Sequence, residues 1–193
     1  MTPPGPLRVD FSKYNSGYTS GKSKLTEALW FFLGLPLLRC AVIPSSSFRA
    51  KLLRLFGASI GKMPTIKPGF RVKYPWLLIV GDYCWLGEDA WIDNLALVTI
   101  GTSVCVSQNV YLCTGNHNWS DPSFGLIVQP ITLQDGSWAG AGCTVGPGVE
   151  FGEGAVAAAG SVVLKSLSPW TIYAGNPAVA VRARILKVSS VEH

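Results

Sequence analysis

Apolar residues in this chain recur every six positions, a spacing that fits neither an amphipathic helix nor a simple two-residue strand alternation. From Ile60 to about Ser168 the cycle leads with Ile60, Ile66, Val72, Val80, Leu86, Ile92, Ile100, Val106 and Leu112. After a break it resumes with Leu133, Ala139, Val145, Phe151, Ala157 and Val163. Glycine often follows the leader, as at Gly61, Gly81, Gly87, Gly101, Gly140, Gly146 and Gly152, and is expected to supply the unusual backbone angles of a corner. Four positions after the leader the residues are mostly small, as at Cys84, Ala90, Ser137, Cys143, Ala155 and Ser161, which suits the inside of a bend. Three such units close a triangular coil with its leaders on the axis, and coils stack at about 4.8 Å. A two-residue insertion in each early coil makes leaders repeat after twenty residues (Ile60, Val80, Ile100), which predicts Trp91 beneath Tyr111 and Leu97 beneath His117. A β-sandwich would instead alternate in twos and turn every roughly eight to twelve residues.

The periodic body divides the chain into 1–59, 60–168 and 169–193. Residues 1–24 are polar and rich in Pro, Gly, Ser and Tyr, as in an extended arm. Helical segments are predicted near Leu25–Leu38 and Ser47–Phe56, the second stopped by Gly57, and together they would cap the open first coil. One excursion, 118–130, interrupts the cycle directly after His117 and must lie over whatever that residue faces. The tail Val179–Lys187 is predicted as a short C-terminal helix.

Composition narrows the possibilities. With 193 residues, 48% hydrophobic and 14% charged, the chain suits one well-buried domain, and its 21 glycines and 13 prolines scattered among Val, Ile, Trp and Tyr favour an all-β body. The formal charge of +5 comes from 16 basic and 11 acidic residues spread without a contiguous Lys/Arg block, which speaks against nucleic acid and mildly for a small anionic ligand. Five cysteines without a Cys-x-x-Cys pair, and an opening without a signal-peptide pattern, point to free thiols in the cytoplasm. The apolar run Ala28–Ile43 is short of the ~20 residues of a membrane span and is interrupted by Pro36 and Arg39. A helix packed on a neighbouring surface is the first reading. Peripheral contact with the inner membrane surface is the second, because Arg49, Lys51 and Arg54 follow.

His117 is the one histidine inside the periodic body, and imidazole titrates where it can take a proton from an alcohol near neutral pH. From position alone, a general base and a surface histidine held by a turn stand about equal. The strings Cys113-Thr-Gly-Asn-His117, Trp138-Ala-Gly-Ala-Gly142, Val145-Gly-Pro-Gly148, Ala159-Gly-Ser161 and Tyr173-Ala-Gly-Asn-Pro177 resemble the signature of hexapeptide-repeat O-acetyltransferases. Leu52-Leu-Arg-Leu-Phe-Gly57, Tyr74-Pro-Trp76 and Ser120-Asp-Pro-Ser-Phe124 make the likeness greatest to the colanic-acid-biosynthesis type. The similarity spans roughly residues 22–186.

The resemblance implies a left-handed parallel β-helix, a homotrimer, and transfer of an acetyl group from acetyl-coenzyme A to a hydroxyl of a sugar or glycan precursor, without a metal. It implies His117 as base and direct transfer, so Cys113 is not a nucleophile. It also implies coenzyme A in a cleft between subunits near Trp138, Ala141, Ala159, Lys165 and Arg182, with Arg184 and Lys187 as further phosphate contacts. Asn116 either orients His117 or polarises the acceptor, and Asp93 and Asn94 either border the acceptor or hold a corner. Asp121 is placed to hold the loop after the base, and Trp119 and Phe124 either stack on a sugar or pack another subunit. Galactoside and maltose acetyltransferases carry an asparagine where this chain has Glu88 and Asp89, so acceptor binding does not transfer from them. Three alternatives stay open: an N-acetyltransferase, a non-catalytic scaffold, and a zinc carbonic anhydrase, which would need three histidines.

Overall fold

Every predicted leader from Ile60 to Val163 is buried along one axis in the computed structural model, which describes residues 8–187. The parts of the arm and tail at 1–7 and 188–193 lie outside the described residues. Three parallel sheets form the faces of the coil. The first face stacks Ser59–Ile60, Leu78–Val80, Val98–Ile100, Ile131–Leu133 and Glu150–Phe151. The second stacks Thr65–Ile66, Trp85–Leu86, Cys105–Val106, Trp138–Ala139, Val156–Ala157 and Thr171–Ala174. The third stacks Arg71–Val72, Trp91–Asp93, Tyr111–Cys113, Thr144–Val145 and Val162–Val163. Ile60 pairs with Val80 and Val80 with Ile100, the twenty-residue step read from the sequence. Past the excursion the step shortens, so that Ala139 pairs with Ala157.

The corner glycines work differently from the expectation. Gly61, Gly81, Gly87, Gly101, Gly140, Gly146 and Gly152 are not among the residues of positive φ. All but Gly146 are needed because coils nearly touch there: a Cβ on Gly81 would sit 2.7 Å from the Gly101 carbonyl carbon, and one on Gly152 would sit 2.6 Å from Pro169 N. The left-handed residue comes two positions later, at Met63, Gly69, Tyr83, Asp89, Ser103, Asn109, Gly136, Gly142, Gly148, Gly154 and Gly160.

The first coil is closed by helices. Helix α1, Lys24–Leu29, runs through a π-helical turn at Trp30–Gly34 into α2, Leu35–Arg39, and α3 follows at Ser46–Leu55. Ser23 and Ser45 cap α1 and α3 by accepting from the amides of Thr26 and Phe48. Arg49 on α3 is fully buried, and its guanidinium donates to the carbonyls of Leu38 (3.0 Å), Cys40 (2.8 Å) and Ile43 (2.6 Å), tying α2, the link and α3 together. The α2–α3 cap thus satisfies carbonyls that would otherwise end unpaired over the core.

The tail is not helical. Val179–Ala183 is a strand, antiparallel to Thr171–Ala174, and completes the second face. Val179-Ala-Val-Arg-Ala183 finds an unpaired strand edge beside it, and ladder bonding there outweighs its weak helical preference.

Candidate active site

The corner between the third and first faces is equally long in the first two coils, from Val72 to Val80 and from Ile92 to Ile100, and opens into the excursion in the third, and polar side chains buried inside it set its shape. Between Val72 and Val80 it contains a 3₁₀ turn at Pro75–Leu77. Asn94, fully buried, accepts from Tyr74 N (2.9 Å) and donates to the carbonyls of Tyr74 and Leu77 (both 2.8 Å). One coil on, buried Thr114 accepts from Leu95 N (2.7 Å) and Ala96 N (3.1 Å) and donates to Asp93 O (3.1 Å). Beyond Thr114 the chain leaves the coil altogether as a hairpin, Gly115–His117 antiparallel to Leu126–Val128. The expected row of Leu97 beneath His117 is therefore not made: Leu97 O accepts from Ile131 N, and the chain rejoins the first face at Ile131. Trp91 and Tyr111 do stack, with ring centroids 4.8 Å apart.

His117 is half-buried at the end of that hairpin. Its Nδ1 lies 2.9 Å from the carbonyl oxygen of Phe124, and its ring stacks on that of Phe124 at 4.4 Å and 11°. A carbonyl only accepts, so Nδ1 carries the proton, and the lone pair of the neutral ring is on Nε2. Asn116 Oδ1 accepts from the backbone N–H of His117 (2.8 Å). Asp121 holds the loop by accepting from Ser123 N and Oγ (2.9 and 2.8 Å), and these bonds hold its carboxyl below the usual range. Beside the imidazole lies a shallow cavity of about 190 Å³ lined by Asn116, His117, Trp119 and Ile127, with Trp119 largely exposed. Cys113 Sγ points to Gly115 O at 3.1 Å.

Sequence reasoning missed the part of the arm that walls this site. Asp10 N donates to Pro122 O (2.9 Å), Phe11 meets Phe124 edge-on at 5.4 Å, and the Tyr14 ring stands 5.6 Å from that of His117. Tyr18 OH anchors the strap on Leu95 O (2.9 Å). No periodicity marks these contacts, which join residues about a hundred positions apart.

The remaining candidates separate. Asn94 has both amide functions engaged in the corner and no exposed surface, so in this fold it builds the platform of the hairpin. Asp93 lies on the third face, where Tyr111 OH donates to its Oδ2 (3.0 Å) and Lys73 Nζ stands 3.0 Å from its Oδ1. Burial, then the Cys113 hydrogen bond and the nearby Asp93 charge, push the Tyr111 phenol well above its ordinary range. Ala141 and Ala159 occupy one corner, between the second and third faces, one above the other, with Gly160 N donating to Ala141 O (2.8 Å). Trp138 lies on the second face and donates from Nε1 to Ser107 Oγ (2.9 Å). A groove of about 410 Å³ lined by Thr65, Lys67, Trp85, Cys105, Ser107 and Gln108 occupies the same face. Lys165 is exposed at the third corner and Arg182 exposed on the last strand of the second face. Arg184 is half-buried, and its Nη1 donates to Gly136 O (2.7 Å) and Gly154 O (3.0 Å). Lys187 is exposed. Among the described residues no three His, Cys, Asp or Glu side chains converge as a metal-binding group.

In a triangular coil the corner between the third and first faces lies opposite the second face, so the hairpin of His117 leaves the solenoid on the side opposite the face that holds Trp138.

The same solenoid is found in solved hexapeptide-repeat acetyltransferases. A maltose O-acetyltransferase from Clostridium difficile superposes with a TM-score of 0.76 at 25% identity, covering 85% of this chain and 90% of the other. A hexapeptide-repeat acetyltransferase from Vibrio cholerae, solved with acetyl-coenzyme A, gives a TM-score of 0.76 at 23% identity over 84% and 89%. No family model matches the chain. In sequence it is 38% identical over 165 residues to the Escherichia coli protein WcaF, named for an acetyltransferase of colanic acid biosynthesis, across 86% of this chain and 91% of that one. The chain belongs to the colanic-acid-biosynthesis type of the hexapeptide-repeat acetyltransferase family.

Proposed function

We propose that this protein transfers the acetyl group of acetyl-coenzyme A to a hydroxyl of a sugar during assembly of an exopolysaccharide or other surface glycan, with His117 as general base. The observation that carries the reading is the His117–Phe124 contact. With Nδ1–H given to the Phe124 carbonyl, Nε2 is the basic atom, on a residue that lines an open cavity. An acceptor hydroxyl there gives its proton to Nε2 as its oxygen attacks the thioester carbonyl. The tetrahedral intermediate expels the coenzyme A sulfur, and the imidazolium returns the proton to that thiolate. No acyl-enzyme is needed, in keeping with the Cys113 thiol directed at a backbone carbonyl.

Family membership supports the donor and the reaction, and the names of the E. coli and C. difficile relatives support a saccharide acceptor. Coenzyme A lies along the corner of Ala141 and Ala159, beside Trp138, where small side chains admit a close approach. Residues 74–164 contain no Lys or Arg, so the cations for its phosphates come from the ends of the solenoid, with Lys165 and Arg182 proposed for that role. Because His117 and that corner diverge within one chain, the working unit is a homotrimer in which one subunit's hairpin meets the next subunit's second face. Asp93 borders the acceptor from the third face, and the five free thiols fit a reducing compartment such as the cytoplasm.

Incubation of the purified protein with acetyl-coenzyme A and a panel of nucleotide sugars, lipid-linked sugars and exopolysaccharide fragments, read by mass spectrometry, tests this. Base-labile acetyl esters are expected. Base-stable amides, or no transfer to any saccharide, overturn it.

A further inference from the structure

Helices α1 and α2 with the turn between them are apolar on both sides. Trp30, Gly34 and Leu38 face the body and are fully buried, as a packed helix requires. On the other side Leu25, Leu29, Phe32, Leu33 and Leu37 form a second stripe open to solvent, with Phe32 80% and Leu25 69% exposed, and Val42 extends it. A helix apolar all round is ordinarily covered all round. Nothing among the described residues covers this one.

Charge indicates what does. The acidic and basic residues alternate too little to be called scattered: they segregate along the chain and therefore along the solenoid. Between Gly21 and Lys73 there are ten Lys and Arg and a single carboxylate, Glu27, which already pairs with Lys24 (2.9 Å) and accepts from Ser20 Oγ (2.5 Å). Between residues 74 and 164 there are eight carboxylates and no Lys or Arg. Lys22, Lys24, Arg39 and Lys51 are exposed on the helical cap that carries the stripe. No helix among the described residues is long and apolar enough to cross a bilayer, so contact with lipid would be in the plane of the surface.

We propose that the helical cap docks on an anionic lipid bilayer, with Leu25, Leu29, Phe32, Leu33 and Leu37 inserted below the headgroups and the surrounding cations against them. A second copy joined cap to cap would press these cations against each other, which disfavours a symmetric contact through this face.

Flotation of the full-length protein tests the proposal, using phosphatidylcholine vesicles with and without phosphatidylglycerol. Acetyl transfer is not measured, so the outcome is independent of the proposed activity. The expected result is flotation with the anionic vesicles only, diminished by salt. Lys22→Glu and Lys51→Glu should each weaken it about fivefold or more. Phe32→Ser with Leu33→Ser, at exposed positions, should abolish it while leaving the melting temperature and assembly size unchanged. The proposal fails if the protein stays with the dense fraction in both lipids, or if the serine variant floats like the parent. It fails equally if that variant changes the assembly size, which would give the stripe to another copy of the chain.

Discussion

At the scale of single residues, two kinds of glycine do different work. Gly81 has ordinary backbone angles but no room, whereas Gly142 has room but a φ of +67°. Gly81→Ala is expected to cost about 1–3 kcal/mol in urea denaturation, since the clash is with backbone that cannot yield. Gly142→Ala is expected to cost about 1 kcal/mol, the strain of a left-handed alanine. Equal losses would mean the coils can spread. The six-residue period located Gly81 but not Gly142, and one sequence letter cannot tell a steric need from a conformational one. Tyrosine supplies a pH test. Burial raises the Tyr18 phenol to about 12 and Tyr111 higher still. A folded state that keeps these protons beyond the unfolded value near 10 has their full contribution below that value and loses it as pH climbs through the folded one. Stability should therefore fall between about pH 10 and 12. Tyr18→Phe should flatten part of that fall, in melts followed alongside phenolate absorbance. A parent profile flat across that window would contradict the burial of these groups. His117 was legible because it is the one histidine within the repeats; its partners Phe124 and Tyr14 were not, because stacking across a loop and an arm leaves no spacing to read.

At the scale of elements, the helical cap and the solenoid were readable because each repeats one apolar spacing over many residues. The tail was not: Val179–Ala183 is too short for periodicity to separate strand from helix, and the neighbouring strand edge decided it. The cap depends on Arg49, whose burial no pattern announced. Arg49→Ala leaves the carbonyls of Leu38, Cys40 and Ile43 without their donor, and a loss of about 3 kcal/mol or more is expected in chemical denaturation. Arg49→Lys should recover only part of it, because one ammonium cannot span the same three directions. A loss below about 1 kcal/mol would mean water replaces the guanidinium.

At the scale of the whole molecule, the hairpin of His117 leaves the solenoid opposite the second face, so the proposed mechanism requires a site built between subunits. Two inactive variants, His117→Ala and Ala159→Trp, should complement each other when unfolded together and refolded. Hybrid trimers then hold some interfaces with both halves intact, about a quarter of all sites for random mixing. No recovery would place the whole site within one chain. Net charge gave no hint of the segregation between cap and body, because a sum erases order; only position along the solenoid restores it.

The proposed mechanism has Nε2 of His117 take the proton of the acceptor. It is tested most directly by steady-state turnover and coenzyme A affinity of purified His117→Ala. Turnover should fall by ~10²–10⁴ with coenzyme A binding unchanged; turnover equal to that of the parent protein would remove His117 from the mechanism.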